Sequence, residues 1–148
     1  MPGYFLNMIP VRTELHDGEE FAALVRRVRG TVLAAFDHSG LPFPSIAELA
    51  ASRRKSAERL LFRQGFVLLE QGAPTISLGE TASRGEYPDN TGTAKCDLSL
   101  FVYAEGETWE CRLEYSTDLF SRRSASKMCE DMVRFFAALT ETPSVNLP

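Results

Sequence analysis

The sequence predicts an α+β fold: a mixed, mainly antiparallel sheet with helices packed mainly on one face. Three observations carry that expectation. Apolar residues recur at helical spacing from Phe21 to Phe36 and again from Ala125 to Phe136. Residues 98–116 alternate with period two on either side of a Glu-Gly-Glu turn. The patterns run in the order strand, helix, helix, several strands, helix, which suits a two-layer arrangement over a single domain spanning residues 1–148.

Each element has its own local argument. Residues 8–15, MIPVRTEL, read as a strand that needs a crossover to rejoin the sheet. Asp17, with Glu20 three residues on, has the spacing of a capping box. A helix of about five turns follows, with Phe21, Leu24, Val25, Val28, Val32, Ala35 and Phe36 inward and Arg26, Arg27 and Arg29 on the other face. Pro42 and Pro44 break it, because proline cannot continue a helix interior. Ser45 and Glu48 repeat the capping-box spacing before a shorter helix that turns Ile46, Leu49 and Ala50 inward. Leu60 to Gln71 read as a largely buried strand, and APTISLGE as another short one.

Residues 79–95 are rich in Gly and small polar residues and read as a long loop or an arm that orders against a partner surface. The hairpin comes next, with strands at 98–104 and 108–116 as antiparallel neighbours. In its return strand Trp109, Cys111, Leu113 and Tyr115 share an apolar face, and Glu110, Arg112 and Glu114 a wet one. A last helix runs from Ser121 to Thr140, its apolar side built from Ala125, Met128, Cys129, Met132, Val133 and Phe136, and Pro143 ends it.

Composition narrows the function classes. The chain has 148 residues, 44% of them apolar and 24% charged, which is ordinary globular usage. A chain this long buries roughly 68–70% of its unfolded surface, so it needs no covalent staples. The net charge is −4 and the basic residues are scattered, which argues against a nucleic-acid partner. No signal peptide and no membrane-spanning run is expected. Cys96, Cys111 and Cys129 form no C-x-x-C pair, so reduced cytoplasmic thiols are expected and no metal centre.

Catalytic residues are scarce. A nucleophile needs an oriented base within hydrogen-bond reach, and His16 and His38 both read as exposed helix-end residues. Cys111 reads as a small buried hydrophobe. No phosphate-cradling loop occurs. On residues alone the chain holds no self-sufficient catalytic machine. Asn7 stands apart, since an amide among apolar neighbours is costly to bury unless fully hydrogen-bonded. Two roles remain open for it: tying down backbone at a strand start, or facing a polar tunnel or substrate.

Several stretches carry a family resemblance. GYFLNMIPVR resembles a G-x-F-V-N-T-x-x-x-R signature through Gly3, Phe5, Asn7 and Arg12, with Met8 in place of Thr. HSGLPFP resembles an H-x-x-x-P-F motif through His38, Pro42 and Phe43, with Pro44 where an acid is common. RKSAERLLF falls on R-D-x-S-R-N-P-L-F but keeps only Arg54, Leu61 and Phe62. KCDLSLFV and LEYSTDLFS resemble D-L-x-L and E-Y-x-T-D-L-F stretches, through Asp97, Leu98, Leu100, Glu114, Tyr115, Thr117, Asp118, Leu119 and Phe120. In this order the motifs resemble the C-terminal part of a condensation domain from a nonribosomal peptide synthetase.

The resemblance implies a partial chloramphenicol-acetyltransferase-like subdomain. In that family two such subdomains flank a tunnel, where an acceptor amine attacks a donor thioester to form an amide. Both substrates ride on the phosphopantetheine of carrier proteins, so no cofactor is expected to be bound directly. The family's catalytic H-H-x-x-x-D-G signature has no counterpart here, because the sequence contains no His-His pair. The chain alone is therefore expected to be inactive, with no catalytic residue of its own. The resemblance makes Gly3, Phe5, Asn7, Arg12, His38, Pro42, Phe43, Arg54, Asp97, Tyr115 and Asp118 candidate tunnel or motif residues. Expected partners are the upstream remainder of the domain, carrier proteins, and a second copy through an exposed sheet edge. Two other readings stay open: a non-catalytic carrier-binding or scaffolding module, and one half of a split acyltransferase.

Overall fold

The computed structural model describes residues 6–52, 63–70, 75–78, 81–84 and 92–148. They fall into two compact units: Met1–Leu61 with Met132–Pro148, and Phe62–Asp131. Gly3, Phe5 and Arg54 lie outside the described residues, as does most of the expected arm at 79–95.

In the first unit, helix α1 spans Phe21–Asp37 and helix α2 spans Phe43–Ser52. The α1 amphipathic stripe is narrower than expected. Phe21, Leu24, Val28, Val32 and Ala35 are half-buried at i, i+3 and i+4 spacing, whereas Val25 and Phe36 lie beside the stripe and are exposed. Arg27 departs from the expected charged face: its Nε and Nη2 reach Glu19 at 3.0 and 2.6 Å, and Nη2 also donates to the Glu14 carbonyl at 2.6 Å.

The Asp17–Glu20 capping box does not form. Glu20 is the N-cap and makes no side-chain cap bond. The orphan donors of the first turn go instead to the end of the chain. Phe21 N–H donates to the Val145 carbonyl at 2.9 Å and Ala22 N–H to the Pro143 carbonyl at 3.1 Å. Gly18 N–H donates to Leu147 and Leu147 N–H returns the bond to Glu19, at 3.0 and 2.8 Å. Glu20 and Asn146 form an antiparallel bridge between these bonds. Gly18 adopts φ +73°, a value that glycine takes without the Cβ penalty.

The expected strand at 8–15 is absent. Residues 6–16 carry no strand pairing, and Pro10 has no N–H to give a ladder. The second capping box is also corrected. Residue Phe43 already begins α2, so Ser45 lies inside the helix. Pro44 is tolerated because first-turn donors have no intrahelical partner. Ile46 and Ala50 are half-buried as expected, but Leu49 is exposed.

The second unit holds a three-stranded mixed sheet in the order β1 (Gln64–Leu69), β4 (Leu98–Glu105), β5 (Thr108–Tyr115). Strands β1 and β4 are parallel, and β4 and β5 antiparallel. The hairpin has the expected register, from Leu98 opposite Tyr115 to Glu105 opposite Thr108, and turns at Gly106 with φ +63°. Strands β2 (Thr75–Leu78) and β3 (Thr81–Arg84) form a separate antiparallel pair. β3 thus places a strand inside the segment expected to be loop.

Burial in the three-stranded sheet reverses two expectations. β1 is not largely buried: Phe66 is 66% exposed, and Val67 and Leu68 are exposed too. On β5, Trp109 is 58% exposed and Cys111 is exposed, so Cys111 is no buried hydrophobe. The opposite face holds Tyr103 and Ser99, each 6% exposed. There Arg112 stacks over the Tyr103 ring at 5.3 Å while its Nε donates to Glu110 at 2.6 Å. A guanidinium that pairs with a carboxylate while its plane covers an aromatic ring lets a charged face bury apolar surface. Gly65 lets β1 approach β4 closely: a Cβ there would lie 3.0 Å from Ser99 Oγ, a tight contact that the Ser99 side chain would have to give way to.

Helix α3 covers Arg122–Glu141. Its cap is Ser121, whose Oγ accepts the Ser124 N–H at 3.1 Å. Ala125 is buried, Cys129 and Met132 are half-buried, and Leu139 is buried near the C-terminal end. Met128 and Val133, expected inward, flank that stripe and are exposed; Phe136 lies on the stripe, between Met132 and Leu139, and is exposed as well.

Candidate functional site

A cleft of about 250 Å³ opens in the first unit between residues 7–10 and the connection from α1 to α2. Met8, Ile9, Pro10, Ala35, Leu41 and Ile46 make it mainly apolar, and Asn7, His38 and Ser39 supply its polar edge. His38 brings an imidazole to this edge. It is the C-cap of α1, with its backbone N–H bonded to the Ala35 carbonyl at 3.2 Å and its side chain exposed.

Asn7 joins the two motif segments. Its Nδ2 donates to the Ser39 and Leu41 carbonyls at 2.9 and 2.8 Å, and its Oδ1 accepts the Phe43 N–H at 3.1 Å. These bonds reach 32 to 36 residues along the chain, not to neighbouring backbone. Pro42 immediately precedes α2, and its carbonyl accepts from Ser45 N–H and Ile46 N–H. Arg12 stays apart: it is exposed and donates to Glu14 at 3.0 Å.

The candidates of the second unit sit at one end of its sheet. Arg63, just before β1, donates from Nε to Asp97 Oδ2 at 2.5 Å. Leu98 N–H donates to the Arg63 carbonyl and Ser116 N–H to the Asp97 carbonyl, at 3.2 and 3.0 Å. Asp97 therefore fastens the starts of β1 and β4 to the end of β5. Tyr115 is half-buried opposite Leu98, and Asp118 lies exposed in the turn between β5 and α3. Among the described residues, no group of three His, Cys, Asp or Glu side chains is placed to hold a metal ion. No described helix is long and apolar enough to cross a membrane.

Sequence reasoning misses three groups: Glu19 with Arg27, Arg63 with Asp97, and the pairing of the chain end with residues 18–22. None carries a local signal, because each pair is brought together only by the fold. Asn7 is the exception, since its polarity in an apolar stretch marks it.

The comparisons with known proteins agree with this arrangement. The family model described as Condensation domain matches residues 1–147. The chain belongs to the condensation domain family. This condensation-domain sequence is 34% identical over 149 residues to a linear gramicidin synthase of Brevibacillus parabrevis, covering 98% of the chain and 2% of that protein. It is 33% identical over 148 residues to a dimodular nonribosomal peptide synthase of Bacillus subtilis, covering 95% of the chain and 6% of that protein. The chain thus spans only a small part of the curated relatives it matches. A structure described as a complex of the X-domain and OxyB from teicoplanin biosynthesis shares the fold. Its TM-score is 0.72 at 24% identity, over 93% of this chain and 31% of that one. The likeness bears out the α+β, condensation-type fold.

Proposed function

We propose that this chain forms the C-terminal portion of a nonribosomal peptide synthetase condensation domain, acting in the cytoplasm in the biosynthesis of a peptide secondary metabolite. The observation that carries this reading is the family match across residues 1–147. The order of the motifs around Asn7, His38, Asp97 and Asp118 supports it. In the reaction, the acceptor amine attacks the donor thioester carbonyl. The C–N bond forms, the C–S bond breaks, and the proton lost by the amine ends on the released thiol. Donor and acceptor arrive on the phosphopantetheine arms of carrier proteins, which are the proposed partners. The group that handles the amine proton lies outside these residues, since no His-His pair occurs in the sequence.

A second reading is a non-catalytic carrier-binding module. The eroded RKSAERLLF stretch, with only Arg54, Leu61 and Phe62 matching, favours it. A split acyltransferase would need its other half on another chain. One assay separates the first reading from the non-catalytic module. The chain is incubated with loaded donor and acceptor carrier proteins, alone and together with a separately expressed upstream half of a condensation domain. No amide product alone and product on addition of that half is the expected result. Product from the chain alone would overturn the reading. Carrier binding without product in either mixture would favour the non-catalytic module.

A further inference from the structure

We infer that Asn7 is a positioning residue: a clip that fixes the α1–α2 connection and supplies the N-terminal cap of α2 from outside the helix. Two prolines bracket the start of α2. A helix leaves its first amides without intrahelical partners. Here Pro42 and Pro44 have no N–H, and the Ser45 and Ile46 amides already bond to the Pro42 carbonyl at 3.1 and 3.4 Å. The other amide of this first turn is that of Phe43. Asn7 Oδ1 accepts it at 3.1 Å. A cap oxygen ordinarily comes from the residue next to the helix; this one comes from 36 residues upstream.

The other end of the same amide holds the turn. Both Nδ2 protons are spent, one on the Ser39 carbonyl and one on the Leu41 carbonyl. A primary amide has two donors, so none remains for a bound molecule. Asn7 therefore acts through what it holds. The connection it grips begins at His38, and residues 7–10 form the facing wall of the cleft. Releasing the clip frees the cleft wall, the helix start and the backbone that carries His38. This inference stands on the hydrogen bonds alone and does not depend on the reaction proposed above.

Amide hydrogen exchange on the 148-residue chain labelled with nitrogen-15 tests it. Both Asn7 side-chain protons should exchange roughly tenfold or more slowly than those of exposed Asn146, as two formed hydrogen bonds require. In Asn7→Leu, the Phe43 and Leu41 amides should both lose protection, while Glu114, whose amide faces Ser99 across the hairpin, keeps it. Asn7→Asp should divide the effect. Its carboxylate still accepts from Phe43 and sits favourably at a helix start, but it faces two carbonyls with no proton to give. Phe43 should stay protected and Leu41 should not. Fast exchange of the Asn7 side chain, or unchanged Phe43 and Leu41 amides in Asn7→Leu, would overturn the clip. So would an Asn7→Asp chain indistinguishable from the native one. If Asn7→Leu unfolds, loss of Glu114 protection reports it, and the native side-chain measurement and Asn7→Asp decide the question.

Discussion

Glu19 and Arg27 show how one pair of side chains ties the chain before a helix to the helix itself. Arg27 is two turns into α1, and its fork takes both Glu19 oxygens and the Glu14 carbonyl. The Arg27 and Glu19 side chains are 33% and 13% exposed, so solvent screens this pair less than an open surface pair. The hydrogen bonds and charge of Arg27 hold the Glu19 carboxyl below its ordinary value of 4.5 and raise the guanidinium in return. A carboxyl lowered in the folded state stabilises the fold above its unfolded value, and that contribution is lost as pH falls through the folded value. Arg27→Met should therefore be less stable than the native chain near neutrality. The difference should narrow on acidification from the ordinary glutamate range downward. Urea unfolding midpoints at a series of pH values check this, and a gap independent of pH would remove the pair from the account.

Among the elements, α1 depends on a segment more than a hundred residues away in sequence. The Pro143 and Val145 carbonyls take the first two amides of the helix, and Gly18, Glu19 and Leu147 lock the segment in place. Removing Pro143–Pro148 leaves those donors to water and takes away the four backbone bonds that join this segment to residues 18–22. At about 0.5–1.5 kcal/mol net for each, the loss should be on the order of 2–6 kcal/mol. The shortened chain should unfold at lower urea concentration, and its Phe21 and Ala22 amides should exchange first. Retained protection at those two positions would show that α1 caps itself. Strand β1 makes a related point. Its apolar run suits a buried central strand, yet among the described residues it lies at the edge of its sheet, paired to β4, with Phe66, Val67 and Leu68 exposed.

For the molecule as a whole, one face of the three-stranded sheet matters most. Phe66, Leu68, Trp109 and Cys111 share it and all are exposed. A contiguous exposed apolar face marks an interaction surface or an aggregation hazard. Edge strands carry the same hazard through their open backbone groups. We therefore expect the isolated chain to self-associate as a homodimer through this face. Light scattering across the micromolar range should show the dimer, and Trp109→Lys with Phe66→Lys should return it to monomer. A native chain that stays monomeric at high micromolar concentration would set the dimer aside.

The kinds of element and the family are legible in the amino-acid order alone. Helical spacing places α1 and α3 to within a residue or two, because a three-to-four-residue repeat over many turns has no extended alternative. Alternation on both sides of Gly106 places the β4–β5 hairpin in its true register, because period two and a short turn leave little freedom. The motif order identifies a condensation domain. Whatever needs a distant partner is settled only in the folded chain. MIPVRTEL reads as a strand, but a strand exists only where a neighbour completes its ladder. The helix starts read as local capping boxes, yet tail carbonyls and the Asn7 amide reach their donors first. Trp109 and Cys111 read as buried, but alternation says which residues share a face and not which face is covered. The arrangement around Asn7 is half legible: its polarity marks it, and only the fold brings Ser39, Leu41 and Phe43 within reach of one amide.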